Sequence, residues 1–267
     1  MNGLNIIMHN KVFFSIICPT FNSEKYIEKN IISILNQTYL NFEIIYSDDG
    51  SLDKTLEIIE KYKKNFQKKK IDIRIIKNEH NGPGATRNSG IKISNYEWIA
   101  FIDSDDEWEL NKLEKVANII GNSEKYNCIA HNEFFKRIDG RVIKLNYKKH
   151  FKINKSIYNQ LFIKNFLSTS SVTIQKKIIV NANYFDERLA NAQDYDLWLK
   201  IGDNLKLYFL SDYLGTYHER NDNITSIPYK KKIKNLFKIL KKNKGNVSKL
   251  FYYYKFFRLM INREWFK

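Results

Sequence analysis

Two hydrophobic periods alternate along the first two-thirds of the chain. Val12 to Cys18 is an apolar run of buried-strand length that stops at Pro19-Thr20-Phe21-Asn22. Ile27, Ile31, Ile34 and Leu35 then recur at helical spacing, which predicts a helix capped by Asn22 or Ser23. The same alternation repeats. A strand over Phe42 to Ser47 ends at Asp48-Asp49-Gly50-Ser51, and a helix over Asp53 to Lys64 turns Leu56, Ile59 and Tyr62 inward. A third strand, Ile71 to Ile76, leads through Asn81-Gly82-Pro83-Gly84 into a helix from about Ala85 to Ser94. A fourth, Trp98 to Ile102, closes on Asp103-Ser104-Asp105-Asp106 before a helix over Leu110 to Ile120. The order βαβαβαβα predicts an α/β fold, a mostly parallel central sheet with helices on both faces. Ligands bind outside the carboxyl ends of such strands. All four polar clusters fall there.

Beyond Cys128 the pattern changes. Cys128 to Lys136, a turn at Asp139-Gly140 and Arg141 to Leu145 suit a hairpin; Ser170 to Gln175 and Leu205 to Leu210 read as strands, and Asp194 to Ile201 as a short amphipathic helix. Two helical stretches end the chain. Tyr229 to Lys244 carries Ile233, Leu236, Phe237 and Leu240 on one face, and Val247 to Lys267 carries Leu250, Tyr253, Tyr254, Phe257 and Ile261.

At 267 residues and 43% hydrophobic content, the chain suits one large domain, or a domain with an appendage, and excludes wholesale disorder. No run reaches the roughly 18 apolar residues of a membrane span. Met1 to Lys11 lacks a basic start and a long apolar core, so no signal peptide is predicted. Cys18 and Cys128 then read as reduced core residues of a cytoplasmic protein. The net charge of +16 is lopsided: Pro228 to Lys267 holds thirteen Lys and Arg against Glu264 alone, so +12 lies in this tail. Nucleic acid, an anionic membrane or an acidic substrate could each answer such a charge.

Three carboxylates within Asp103-Ser104-Asp105-Asp106 repel one another unless a cation sits among them. Mg²⁺ or Mn²⁺ takes oxygen ligands and typically combines one or two carboxylates with substrate phosphates. The alternative is a solvated loop whose Asp106 caps the next helix. Asp48-Asp49-Gly50-Ser51 likewise reads either as a capped turn or as a carboxylate offered to a base or ribose. The glycines of Asn81 to Asn88, with Arg87 one turn into a helix, suit phosphate, although neither common phosphate-loop pattern is present.

With these residues in place, the chain resembles the family 2 glycosyltransferases of the GT-A fold from Phe13 to about Thr225. The likeness is carried by Phe14 to Asn22, Asp48 to Thr55 and Phe101 to Asp106, in order and correctly spaced. It implies that residues 13–120 form the nucleotide-sugar-binding half and 121–227 the acceptor half of one domain, between an extension over 1–12 and a basic helical tail over 228–267. Pro19, Thr20 and Phe21 would lie against the nucleoside, and Asp49 would contact the base. Arg87 would reach the base or phosphates. Asp103 and Asp105 match the family's D-x-D, Asp105 as the direct Mn²⁺ or Mg²⁺ ligand and Asp103 nearer the ribose. Asp194 aligns with the catalytic base, although Gln193 replaces the usual glutamate before it. Tyr217-His218-Glu219-Arg220 stands where relatives show Tyr-Arg-x-His, with the basic residues exchanged; His218 is either a metal or phosphate contact or a structural residue.

The resemblance implies an inverting transfer from a nucleotide-diphosphate sugar, UDP-linked in the family's commonest case, to a hydroxyl of a saccharide or lipid-linked saccharide in cell-envelope polysaccharide or lipooligosaccharide synthesis. Transfer to a polyprenyl phosphate is the alternative within enzymes. A nucleic-acid-binding protein is the alternative outside them, and the clustered acids oppose it. The tail predicts contact with the inner face of the cytoplasmic membrane, or else two packed helices with a solvated lysine face.

Overall fold

The structure is a computed structural model and describes residues 11–220 and 229–261. Expectations on residues 1–10, 221–228 and 262–267, and on the side chains of Ile233 and Ile261, lie outside those described. Among the described residues nine strands form one sheet in the order β3-β2-β1-β4-β8-β6-β9-β5, with β7 paired to β6.

Its first half is the predicted parallel unit. The strands β1 (Phe14–Thr20), β2 (Phe42–Asp48), β3 (Asp72–Lys77) and β4 (Trp98–Phe101) pair in parallel. They are linked by α1 (Ile27–Leu35), α2 (Thr55–Lys68) and α3 (Pro83–Ile93). The strands β1, β2 and β4 are apolar and buried through both faces, as a sheet covered by helices requires. Past β4 the sheet becomes mixed. After β5 (Glu107–Trp108) and α4 (Lys112–Gly121), β6 (Cys128–Lys136) forms the expected hairpin with β7 (Val142–Leu145). The strand β8 (Thr173–Gln175) pairs antiparallel with both β4 and β6 and so joins the two halves. The last strand, β9 (Leu207–His218), runs parallel to β6 and antiparallel to β5.

Several boundaries move for identifiable reasons. Helix α1 begins at Ile27, because Asn22 and Ser23 spend their side chains elsewhere. Asn22, at φ 45°, accepts from the Leu52 amide, and the Ser23 hydroxyl meets that of Ser104 at 2.7 Å. Asp53 stands just outside α2, accepting from the Thr55 amide and hydroxyl. Pro83 opens α3 earlier than expected, since a missing amide costs nothing in the first turn. The first residues of the predicted 170–175 strand form instead a short 3₁₀ turn, Thr169–Ser171. Two short helices, α5 (Ile157–Ile163) and α6 (Lys176–Asn181), were not expected.

The core lies on both faces of the sheet. One face packs Phe14, Ile16 and Cys18 against Ile27, Ile31 and Ile34. On the other, Ile17, Ile45 and Phe101 meet Ile91 and the apolar side of α7 (Gln193–Ile201). Gly90 lets α3 approach β1 closely: a Cβ there would meet the Ile17 Cγ2 at 2.9 Å. Cys18 and Cys128 are buried free thiols.

The basic C-terminal segment is part of this body. Helix α8 (Tyr229–Lys242) buries Leu236, Ile239 and Leu240 in the second core cluster. Its Lys242 reaches Asp196 of α7 at 3.0 Å and Asp186 at 3.5 Å. Helix α9 (Lys249–Ile261) buries Lys255, whose ammonium donates to the Ile163 carbonyl at 2.5 Å. Among the described residues no helix is long and apolar enough to cross a membrane.

Candidate active site

The carboxyl ends of β1, β2 and β4 share one rim, and each contributes a turn. At the end of β2 the two aspartates divide their work. Asp48 builds the turn, accepting from the Gly50 and Ser51 amides and from the Ser51 and Thr20 hydroxyls. Asp49 faces the neighbouring loop instead. It accepts from the amides of Asn81 and Gly82 and pairs with His80 at 2.8 Å. Phe21, 44% exposed, stacks on that imidazole with ring centroids 4.4 Å apart. Phe21, His80 and Asp49 therefore form one wall. Thr20 is buried, its hydroxyl committed to Asp48 and its carbonyl accepting from the Asp49 amide at 2.8 Å, so of the two Phe21 is the one exposed to a ligand.

The acidic turn after β4 is fixed from three sides. The Asn30 amide bridges the carbonyls of Asp103 and Asp106, at 3.0 Å each. Ser23 holds Ser104, and the Ser170 hydroxyl accepts from the Asp103 amide while donating to Asp106. Asp106 does not cap α4: it is buried against Ser170. Each D-x-D carboxylate faces its own arginine. Arg87 of α3, itself buried, lies 2.5 Å from Asp103, and Arg220 lies 2.7 Å from Asp105. Burial still raises the pKa of Asp105 to about 6, against the pull of Arg220 and with the repulsion of Asp103. Asp106 is raised too, by burial and then by Asp105 and Asp103.

These residues fit a divalent ion of one particular kind. Among the described residues no three His, Cys, Asp or Glu side chains form a closed metal cage. Among the described residues the buried Asp106 Oδ1 has no hydrogen-bond partner, and Asp105 and Asp103, though each paired with an arginine, still repel the Asp106 carboxylate. An ion held by one or two carboxylates and completed by phosphate oxygens matches this donor set.

Asp194 occupies the first turn of α7, whose entry passes through Ala192 in the left-handed region at φ 56°. Burial is the largest influence on the Asp194 pKa and raises it; the Tyr195 amide and the charge of Arg87 lower it, and the charge of Asp103 raises it. Beside it Gln193 is 6% exposed, and its Oε1 is buried without a partner among the described residues. His218 pairs with Glu107 across β9 and β5 at 2.7 Å. Arg220, two residues on, is the member of the exchanged pair that reaches the acidic turn.

Sequence reasoning missed His80, Asn30, Ser170 and Glu107 as parts of this constellation, and named Arg220 only as one of an exchanged basic pair. Only Asn30 left a signal, as a polar residue on the apolar Ile27–Ile31–Ile34 stripe. The others meet their partners through tertiary contacts that no spacing reveals.

Residues 15–182 match the family model described as glycosyl transferase family 2. The chain belongs to that family. Among curated relatives, an uncharacterized glycosyltransferase of Methanocaldococcus jannaschii is 31% identical over 255 residues, 93% of this chain and 86% of the relative. The UDP-Glc:alpha-D-GlcNAc-diphosphoundecaprenol beta-1,3-glucosyltransferase WfgD of Escherichia coli is 31% identical over 70% of this chain and 68% of its own length. Among solved structures, Staphylococcus aureus TarS 1-349 in complex with UDP-GlcNAc superposes with a TM-score of 0.66 at 26% identity over 82% of this chain. This family 2 chain spans 62% of that TarS chain. The mannosyltransferase PcManGT of Pyrobaculum calidifontis, in complex with GDP-Man and Mn²⁺, shares the fold at a TM-score of 0.70 over 96% of this chain, at 13% identity. The family 2 chain thus has the GT-A architecture.

Proposed function

We propose that this glycosyltransferase transfers a sugar, with inversion, from a nucleotide-diphosphate sugar to a hydroxyl of a saccharide acceptor in cell-envelope polysaccharide or lipooligosaccharide assembly. The observation that carries the reading is the acidic turn Asp103 to Asp106 at the carboxyl end of β4, fixed by Asn30, with Asp103 and Asp105 each paired to an arginine and Asp106 buried. A bound Mn²⁺ or Mg²⁺ would supply Lewis-acid stabilisation of the leaving diphosphate. Asp105 would ligate the ion directly. Asp103 would stand near the ribose beside Arg87, and Asp49 with Pro19, Thr20 and Phe21 would seat the nucleoside. Asp194 would take the proton of the acceptor hydroxyl as its oxygen bonds to the anomeric carbon and the sugar–diphosphate bond breaks on the opposite face. UDP is the proposed carrier, in keeping with the printed donor of WfgD and the ligand of TarS. The diphosphoundecaprenol acceptor in the WfgD name favours a lipid-linked saccharide.

The test is a panel of UDP- and GDP-sugars scored for slow hydrolysis with Mn²⁺ or Mg²⁺, then with chelator. At least one donor is expected to turn over, and chelation to stop it; a folded protein inert to every donor rejects the reading.

A lipid-linked acceptor is confined to the membrane, and α9 offers a face for it at the inner surface of the cytoplasmic membrane. Leu250, Tyr253, Tyr254 and Phe257 are 48% to 83% exposed and share one helical side. Lys234, Lys238, Lys241 and Lys244 are exposed on the preceding segment. Apolar insertion combined with lysine attraction suits anionic lipid. Removing Leu250→Ser, Tyr253→Ser and Phe257→Ser together is expected to cut sedimentation with phosphatidylglycerol vesicles by at least about tenfold. Equal sedimentation would exclude this face. Point changes are the sound probe, since deleting the tail would strip Leu236, Ile239 and Leu240 from the core.

A further inference from the structure

We infer that Phe185 is a positioning residue for the transfer, the wedge that sets the helix carrying Asp194 against the helix and turn that hold the donor; this rests on the reading above. Phe185 lies in the segment between α6 and α7 and is 2% exposed. Its backbone is clamped from α3. The buried Asn88 side chain accepts from the Phe185 amide at 3.0 Å, and donates to the Phe185 carbonyl at 3.0 Å and to Glu187 at 2.8 Å. One side-chain amide thus meets both backbone groups of one residue, as a paired strand would. From α7, the Lys200 ammonium donates to the carbonyl of Tyr184, the residue just before. The segment also lies close on α3: a Cβ at Gly84 would meet the Asp186 carbonyl oxygen at 3.4 Å.

The ring joins what the backbone brings near. Its centroid stands 5.6 Å from the guanidinium carbon of Arg87, the residue that holds Asp103. It meets Phe101, the last residue of β4 and two before Asp103, edge-on at a centroid distance of 5.7 Å. It meets Trp198 of α7 edge-on at 6.5 Å, and Trp198 follows Asp194 by about one helical turn. One ring therefore adjoins the arginine that fixes the acidic turn, the strand that delivers that turn and the helix that presents the proposed base. A general base works only within hydrogen-bond reach of the proton it takes. In a close-packed interior, removing a ring from this junction lets one element shift against the other. Buried as it is, Phe185 touches no reactant and acts through Asp194.

The test is a double-mutant cycle of Phe185→Leu with Asp194→Asn. UDP-glucose, UDP-GlcNAc and GDP-mannose are the probes, with water in place of the acceptor hydroxyl. The readout is the saturated rate of nucleoside diphosphate release in Mn²⁺ per mole of folded protein, beside calorimetric affinity for the matching nucleotide. Phe185→Leu is expected to lower the rate at least about tenfold, as slight misplacement of a reacting group implies. Nucleotide affinity is expected to stay near wild type, since the Asp103 pair still fixes Arg87. In the Asp194→Asn background the same change is expected to cost almost nothing, because the group it misplaces no longer works. A purely structural role would lower the melting temperature and leave the rate per folded molecule intact. A wild-type rate in Phe185→Leu, equal fold losses with and without the Asp194 carboxylate, or a loss of nucleotide affinity that matches the loss of rate would each overturn the inference. Should Phe185→Leu fail to fold, Asn88→Ala, which opens the backbone clamp and keeps the ring, takes its place in the same cycle. No hydrolysis of any probe by wild type, or a full rate in Asp194→Asn, would remove the donor and base reading and this inference with it. An impaired Asp194→Asn with additive losses removes only the role of Phe185.

Discussion

Asp194→Asn is expected to lower turnover by about 10²–10⁴-fold, the usual contribution of a positioned general base, while nucleotide-sugar affinity stays near wild type. The amide keeps the shape and the place in the first turn of α7 but cannot take the acceptor proton. The separation of effects follows from position. Asp194 senses Arg87 and Asp103 only as fields, whereas the D-x-D carboxylates are held directly by Arg87 and Arg220. The raised pKa adds a signature: the working form is ionised, so activity falls as pH drops through a value above that of an ordinary aspartate. In the asparagine variant that acidic limb should vanish from whatever rate remains. Steady-state transfer kinetics across pH, beside donor titration, would check both. Full activity in Asp194→Asn would reassign the base.

Lys242→Met is expected to destabilise the fold by about 1–2 kcal/mol in denaturant unfolding, between a surface pair and a buried one, because Asp196 is buried while Lys242 is 46% exposed and screened by water. Asp196 is fully buried on α7 and has two cations: Lys242 of α8 at 3.0 Å and Lys200 of its own helix at 3.5 Å. Methionine keeps the apolar stem and removes the charge, so the loss is that of a partner and not of packing. Lys200 remains, which limits the effect. Lys242→Arg should retain most of the stability. A Lys242→Met variant as stable as wild type would mean that α8 is docked by Leu236, Ile239 and Leu240 alone.

The sequence made the first half of the fold legible because β1, β2 and β4 are buried on both faces, which writes them as apolar runs broken by polar turns. The acidic turn and the turn at Asp48 were visible for the same reason, as charge following an apolar strand. The boundary of α1 was not, because Asn22 and Ser23 have cap-forming side chains that tertiary partners claim. The helices α5 and α6 are too short, at 7 and 6 residues, to establish a helical period. Leu205 to Leu210 showed the apolar start of β9, while its continuation to His218 is half-buried and polar along the site and so reads as loop. The site divided similarly. Asp103, Asp105 and Asp194 stood out by motif. His80 and Arg220 gain their places only when the sheet brings β3 beside β2 and the end of β9 beside the acidic turn.

The most direct measurement is the affinity of the folded protein for UDP- and GDP-sugars, with Mn²⁺ and with chelator, in wild type and in Asp105→Asn. The account predicts micromolar-to-millimolar binding of at least one activated sugar that Mn²⁺ strengthens in wild type and fails to strengthen in the variant. Equal affinity in all four conditions, or none for any activated sugar, would contradict it.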